Sequence, residues 1–138
     1  MSAEKLKGEM ARRINSRAKG ARGEREFATL LREQGYDARR GQQFSGSPDS
    51  PDVVSTALAW LHIETKHVEQ LNLIAACAQA ERDGGGKPWV VAHRRNGTPW
   101  RITMSIETFF QFLRGTLPPE STGAKRQEQN SNDKTQES

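Results

Sequence analysis

The sequence predicts an α/β fold, a mixed β-sheet flanked by helices in the order α-β-β-β-α-β-β-α. Three observations predict it. Apolar residues recur at helical spacing in three stretches, around 24–34, 70–83 and 106–114. Between them lie short runs rich in β-branched and aromatic residues: "DVVST", "LAWLHIETK", "KPWVVAH" and "TPWRITM". Turn formers separate the runs: Gly35, the "GSPDSP" segment, Gly84 to Gly86, and Asn96-Gly97.

Each element has its own warrant. Residues 1–20 are basic and read as a partly helical arm, interrupted by Gly20 and Gly23. From Glu24 a helix is expected, because Glu24, Phe27, Ala28 and Leu31 fall at i, i+3, i+4 and i+7; Gly35 stops it. "YDARRGQQF" reads as a short strand running into a loop. "DVVST" is a short apolar strand, and little separates it from "LAWLHIETK", so the two suggest a hairpin. In that second strand Leu61, Ile63 and Thr65 share one face, while His62, Glu64 and Lys66 share the other. The middle helix takes Leu71, Ile74, Ala75 and Ala78 as its apolar stripe and ends at the glycine run. "RRNG" joins the last two strands, since Asn-Gly is the strongest short hairpin signal. Ser105 caps a final helix whose apolar face is Ile106, Phe109, Phe110 and Leu113, stopped by Gly115.

Hydrophobic residues make up 33% of the chain and mean hydropathy is −0.84, low for a compact fold. The deficit sits at the ends. The sequence therefore divides into a basic N-terminal arm (1–19), a folded domain (20–115) and a polar tail (116–138). The tail holds too little apolar surface to offset its ordering entropy and is expected to be disordered. Cys77 is the single cysteine, which excludes an intrachain disulfide and a cysteine-based zinc site. No apolar run approaches the roughly 20 residues of a membrane span, and the N-terminus has no apolar signal-peptide segment. The expectation is a cytoplasmic protein. The net charge of +4 is concentrated at Lys5, Lys7, Arg12, Arg13, Arg17, Lys19 and Arg22, at Arg39 and Arg40, and at Arg94, Arg95 and Arg101. Such placement suits a polyanionic partner.

The carboxylates point to the chemistry. In a strand, Glu64 and Lys66 project the same way, roughly 6.5–7 Å apart. Asp52, at the start of the preceding strand, can lie beside Glu64. Two hard oxygen ligands there suit Mg²⁺, which binds one or two carboxylates and keeps water and substrate phosphate as its other ligands. The backbone carbonyl of Thr65 faces sideways along the sheet and is a candidate third ligand. Lys66 would then sit beside the attacking water or the scissile phosphate, to help deprotonate the one or neutralise the other. Glu24 shares a helix face with Phe27 and Leu31; it either turns toward this site or complements the helix dipole.

The pattern of Pro-Asp followed by E-x-K, with Glu64 twelve positions after Asp52, resembles the PD-(D/E)xK nuclease superfamily. "GEREFATLLREQGYDARR" sharpens the likeness. It is similar to the first helix and strand of archaeal-type Holliday junction resolvases and of small phage-encoded PD-(D/E)xK endonucleases. The resemblance runs through residues 19–66, and the element order extends it to about 93. It implies a restriction-endonuclease-like fold and a catalytic set of Glu24, Asp52, Glu64 and Lys66, with Asp52 and Glu64 as metal ligands. It also implies that Arg25 and Arg40 contact phosphate, and we group Arg22, Arg39 and Ser45 with them as candidate DNA contacts. Gln79 resembles a glutamine found near the site in some members. Asp49, in the second Pro-Asp pair, is the alternative to Asp52; Asp52 is preferred because "VVS" follows it directly, whereas Asp49 sits in a turn.

The activity so implied is Mg²⁺-dependent endonucleolytic cleavage of DNA, with Mn²⁺ as a substitute metal. The substrate would be branched DNA, cut by a homodimer because a junction needs two symmetric incisions. If the chain is phage-encoded, the compartment is the host cytoplasm. Two other readings stay open: a catalytically silent DNA-binding module of the same fold, and a nuclease for linear or single-stranded nucleic acid. His62, His67 and His93 lie on different elements without helical pair spacing, so a surface or supporting role is expected, with His67 left open beside Lys66. Trp60, Trp89 and Trp100 are read as packing residues, and Arg94 and Arg95 as either a solvated turn or a phosphate contact.

Overall fold

The computed structural model describes residues 2–41 and 52–120. The candidate residues Ser45 and Asp49 lie outside them, as does the polar tail beyond 120. The observed order is the expected one: α1 (Ala3–Glu33), β1 (Arg39–Arg40), β2 (Val53–Val54), β3 (His62–His67), α2 (Leu73–Gly84), β4 (Trp89–Arg94), β5 (Arg101–Met104) and α3 (Ile106–Arg114). The chain divides into two units, residues 1–105 and 106–138.

In the first unit, α1 is longer than the sequence suggested. Ser2 caps it by accepting from the Lys5 amide at 3.3 Å, and Glu4 stands in the first turn, where the dipole favours an acid. Its first half is rich in good helix formers, and the helix runs on through Gly20 and Gly23. Gly23 does not break it, because packing requires a glycine there. A Cβ at that position would lie 2.6 Å from the Cβ of His67 on β3. Beyond Glu33 the backbone turns at Gly35 (φ +96°), and the Tyr36 amide donates to the Leu31 carbonyl at 3.1 Å.

β3, β4 and β5 form one sheet. β3 runs parallel to β4, with Glu64 opposite Val91, and α2 supplies the crossover such a pair requires. β4 and β5 are antiparallel and joined through Asn96-Gly97, as expected. β1 and β2 make a separate two-stranded pair. The expected hairpin between β2 and β3 is therefore not a ladder. Asp37 explains why. Its carboxylate accepts from the Ser55 hydroxyl (2.6 Å) and the amides of Thr56 (3.1 Å) and Ala57 (3.2 Å), which turns the chain between the two strands. These hydrogen bonds, Ser55's first, hold the Asp37 carboxyl far below its ordinary range.

The central sheet is covered on both faces. Phe27 and Ala28 of α1 pack with Ile63, Val90 and Ala92 on one side. Ala76 and Ala80 of α2 pack with Trp89 and Val91 on the other. The stripe read for α2 is corrected here. Ile74 is 86% exposed, Ala75 and Ala78 face outward, and the buried positions are Ala76, Ala80 and Gly84. Small residues at i, i+4 and i+8 let the helix approach closely. A Cβ on Gly84 would already be 3.4 Å from that of His62. Among the tryptophans, Trp89 is core and Trp100 is half-buried; its Nε1 donates to Glu26 at 2.9 Å.

In the second unit, α3 exposes Ile106, Phe109, Phe110, Phe112 and Leu113, and Gly115 (φ +69°) ends it.

Candidate active site

β3 builds the site by alternation. Its odd positions, Ile63, Thr65 and His67, turn toward α1; its even ones, His62, Glu64 and Lys66, turn toward α2. Backbone polarity alternates as well. The His62 amide donates to the Pro88 carbonyl on the β4 side, at 2.9 Å. The Ile63 carbonyl accepts from the Asp52 amide at 3.3 Å, and the Thr65 amide donates to Asp52 Oδ2 at 2.9 Å, both on the opposite side. Within one strand residue, N–H and C=O point the same way. The Thr65 carbonyl thus faces the edge where Asp52 stands.

Asp52 is fixed from two directions. Its carbonyl accepts from the Gly41 amide at 2.8 Å, just after β1, and the Thr65 hydroxyl lies 3.5 Å from its carboxylate. The Asp52 and Glu64 carboxyl groups line the same cavity and act on each other electrostatically. Burial and the Glu64 charge push Asp52 up to about 7, against the Thr65 amide that favours its ionised form. Glu64 is 2% exposed. Burial opposes its charge, but hydrogen bonds from His62 (Nε2 to Oε1, 2.8 Å) and Asp52, with the Lys66 charge, outweigh burial and keep it below its usual range. The Lys66 ammonium donates to Gln79 Oε1 on α2 at 3.1 Å. Glu24, 8% exposed on α1, accepts from Arg40 Nε at 2.5 Å.

These side chains share one cavity of about 290 Å³. Glu24, Asp52, Glu64, Thr65, Lys66 and Gln79 all line it. The structure therefore brings together all four residues expected to be catalytic, and Gln79 with them. Arg22, Arg25 and Arg39 are exposed outside the cavity wall, and Arg40 reaches the site through Glu24. Among the described residues, no three His, Cys, Asp or Glu side chains gather into a metal cluster. The donor set is two carboxylates in one cavity, beside a carbonyl facing the same edge. That set suits Mg²⁺, and the crowding of two acids in one buried spot is what a divalent cation would relieve.

For the histidines the sequence left a surface and a supporting role open, and the structure places two of them beside the site. His62 is buried against Glu64, and its place two residues earlier on the same strand face was a signal that it would be. His67 Nε2 meets Asn96 Oδ1 at 2.9 Å, in the β4–β5 turn, and its Nδ1 has no hydrogen-bond partner among the described residues. Val68 lines both the cavity and a neighbouring groove of about 370 Å³, whose wall includes His93, Arg94, Arg95 and Arg101. In that groove Arg94 pairs with Glu26 and lies 5.9 Å over the Trp100 ring. Arg95 and Arg101 make no ion pair among the described residues. Burial and the Arg101 charge lower the His93 pKa. The groove's acid, Glu69, is matched by Lys19 at 2.7 Å.

A family model described as Hjc, archaeal Holliday junction resolvase, matches residues 15–109. Among solved structures the chain is similar to Hjc from Archaeoglobus fulgidus, a Holliday junction resolvase from an archaeal hyperthermophile. Identity is 29%, over 62% of this chain and 72% of that one, with a TM-score of 0.46. No curated protein matches. The family match spans well over half of the sequence, including every described residue of the cavity, and on it the chain belongs to the archaeal Holliday junction resolvase family of PD-(D/E)xK nucleases.

Proposed function

We propose that the chain is a Mg²⁺-dependent endonuclease that hydrolyses phosphodiester bonds in branched DNA, four-way junctions above all. The observation that carries this reading is the meeting of Asp52, Glu64, Lys66 and the Thr65 carbonyl edge in one cavity. Asp52 and Glu64 would hold the metal, with the Thr65 carbonyl as a further oxygen ligand. A divalent ion there supplies charge neutralisation at the phosphate and a lowered pKa for a bound water. Lys66, held by Gln79, places an ammonium where negative charge builds on the phosphate oxygens. Glu24, clasped by Arg40, adds acidic character to the cavity from α1. Arg22, Arg25, Arg39 and Arg40, with Ser45, would contact the DNA backbone, and the basic first half of α1 extends that surface.

Two symmetric cuts favour a homodimer. The exposed phenylalanines of α3 are apolar surface that a second copy can cover; light scattering on the purified protein checks this.

The deciding assay incubates purified protein with Mg²⁺ or Mn²⁺ on matched four-way, flap, linear duplex, single-stranded and RNA substrates. The expected result is preferential cutting of the four-way junction. Asp52→Ala should lose at least roughly 10²-fold in cleavage rate while retaining junction binding. Equal cutting of linear duplex would remove the junction specificity. No cutting of any substrate by the wild type would leave a binding module.

A further inference from the structure

We propose that His62 is a positioning residue for Glu64, holding one carboxylate oxygen so that the other is presented to the cavity. The inference rests on the reading of Asp52 and Glu64 as the metal-binding pair, and extends it to a residue that never touches the substrate.

The geometry is specific. His62 and Glu64 stand two residues apart on the same face of β3, with His62 Nε2 2.8 Å from Glu64 Oε1. They are 4% and 2% exposed. An ionised carboxylate can only accept, so the proton between them resides on Nε2. The imidazole is itself confined. Gly84 of α2 leaves room for it, since a Cβ there would come within 3.4 Å of His62, and Trp89 is its register partner on β4. A lone buried carboxylate is costly. One held by a fixed donor keeps both its charge and its orientation. Each working group of the cavity has a counterpart of this kind: Asp52 has the Thr65 amide, Lys66 has Gln79, and Glu64 has His62. A histidine that merely filled the core would be replaceable by leucine; one that orients Glu64 is replaceable only by another donor. Loss of such an outer partner typically costs 10- to 100-fold in metal affinity or activity.

The test uses the full chain and Mn²⁺ alone as the probe, with paramagnetic resonance reporting bound metal and circular dichroism reporting the fold. His62→Leu removes the donor and keeps the bulk. His62→Gln restores an N–H near the Nε2 position. Expected for H62L is a cooperative melt, Mn²⁺ affinity reduced by roughly 10- to 100-fold, and a fall in kcat with little change in KM for DNA. H62Q should recover most of both losses. Should H62L fail to fold, His62→Ala is titrated with imidazole, which can enter by a cavity of about 230 Å³ that His62 also lines; recovery of Mn²⁺ binding supports the proposal and its absence overturns it. Wild-type Mn²⁺ binding in H62L, or equal damage in H62L and H62Q, also overturns it. Glu64→Ala is measured in parallel. If E64A binds Mn²⁺ like the wild type, the metal reading fails. If E64A loses the metal and H62L does not, only the role of His62 fails.

Discussion

Asp52 gives the protein one distinct pH dependence in the absence of divalent metal. Its ordinary pKa of 3.8 becomes about 7 in the fold, through burial first and then the Glu64 charge. Between those values the folded state keeps a proton that the unfolded chain has lost. Unfolding free energy should therefore fall as pH rises from about 4 to about 7 and level off above it. Urea unfolding without divalent metal should show this slope, and Asp52→Asn should flatten it. If Asp52 is a metal ligand, added Mg²⁺ should stabilise the wild type more at pH 8 than at pH 5.5, since metal and proton would compete for one carboxylate. At this scale much was legible. Strand alternation has a period of two, so Glu64 and Lys66 could be placed on a common face from their spacing alone. His62 obeys the same period, which put it on the Glu64 face, but its burial there also depends on the approach of α2 through Gly84, which the strand pattern does not report.

Order and type of the elements were readable because each is short and locally periodic. The length of α1 and the buried face of α2 were not. In both cases a tertiary contact overrides the local signal. Gly23 reads as a helix breaker by propensity, yet it is the point where α1 crosses β3. Gly23→Ala should destabilise by about 1–3 kcal/mol, the usual range for overpacking, despite the gain in helix propensity. Its control is Gly8→Ala in the same helix, where an added Cβ meets nothing within 4 Å; that change should stabilise by about 1 kcal/mol. Thermal melts of the two variants should shift in opposite directions. In α2 the large apolar residue, Ile74, faces out and the small ones face in, because close packing against β4 selects for size over hydrophobicity.

The whole molecule contributes what no single segment does. The basic groove beside the cavity joins the chain just after β3 to both strands and the turn of the β4–β5 hairpin, some thirty residues away, so the sequence offered the cluster of Arg94, Arg95 and Arg101 but not the groove it lines. Arg95 and Arg101 make no close ion pair among the described residues, although the Arg95 charge also acts on Glu69; both would be placed to meet phosphate. Arg95→Ala with Arg101→Ala should weaken junction binding and make the plot of log K against log salt shallower by about 2. The single-turnover rate at saturating protein should stay near that of the wild type, because neither residue lines the catalytic cavity. The family match covers residues 15–109 and so leaves out most of the first half of α1. That half is continuous with the turn that carries Glu24. At 1.5 Å per residue, residues 3–19 extend about 25 Å from the cavity, close to seven base-pair steps of duplex. If its cations meet DNA, an unbroken rod of that length would work as a ruler with a phase. Deleting seven residues near its tip shortens it while leaving the remaining backbone positions on nearly the same azimuth, whereas deleting five rotates them to the far side. Footprinting of the two deletions on one junction arm should show a shortened but intact protection in the first case and its loss in the second.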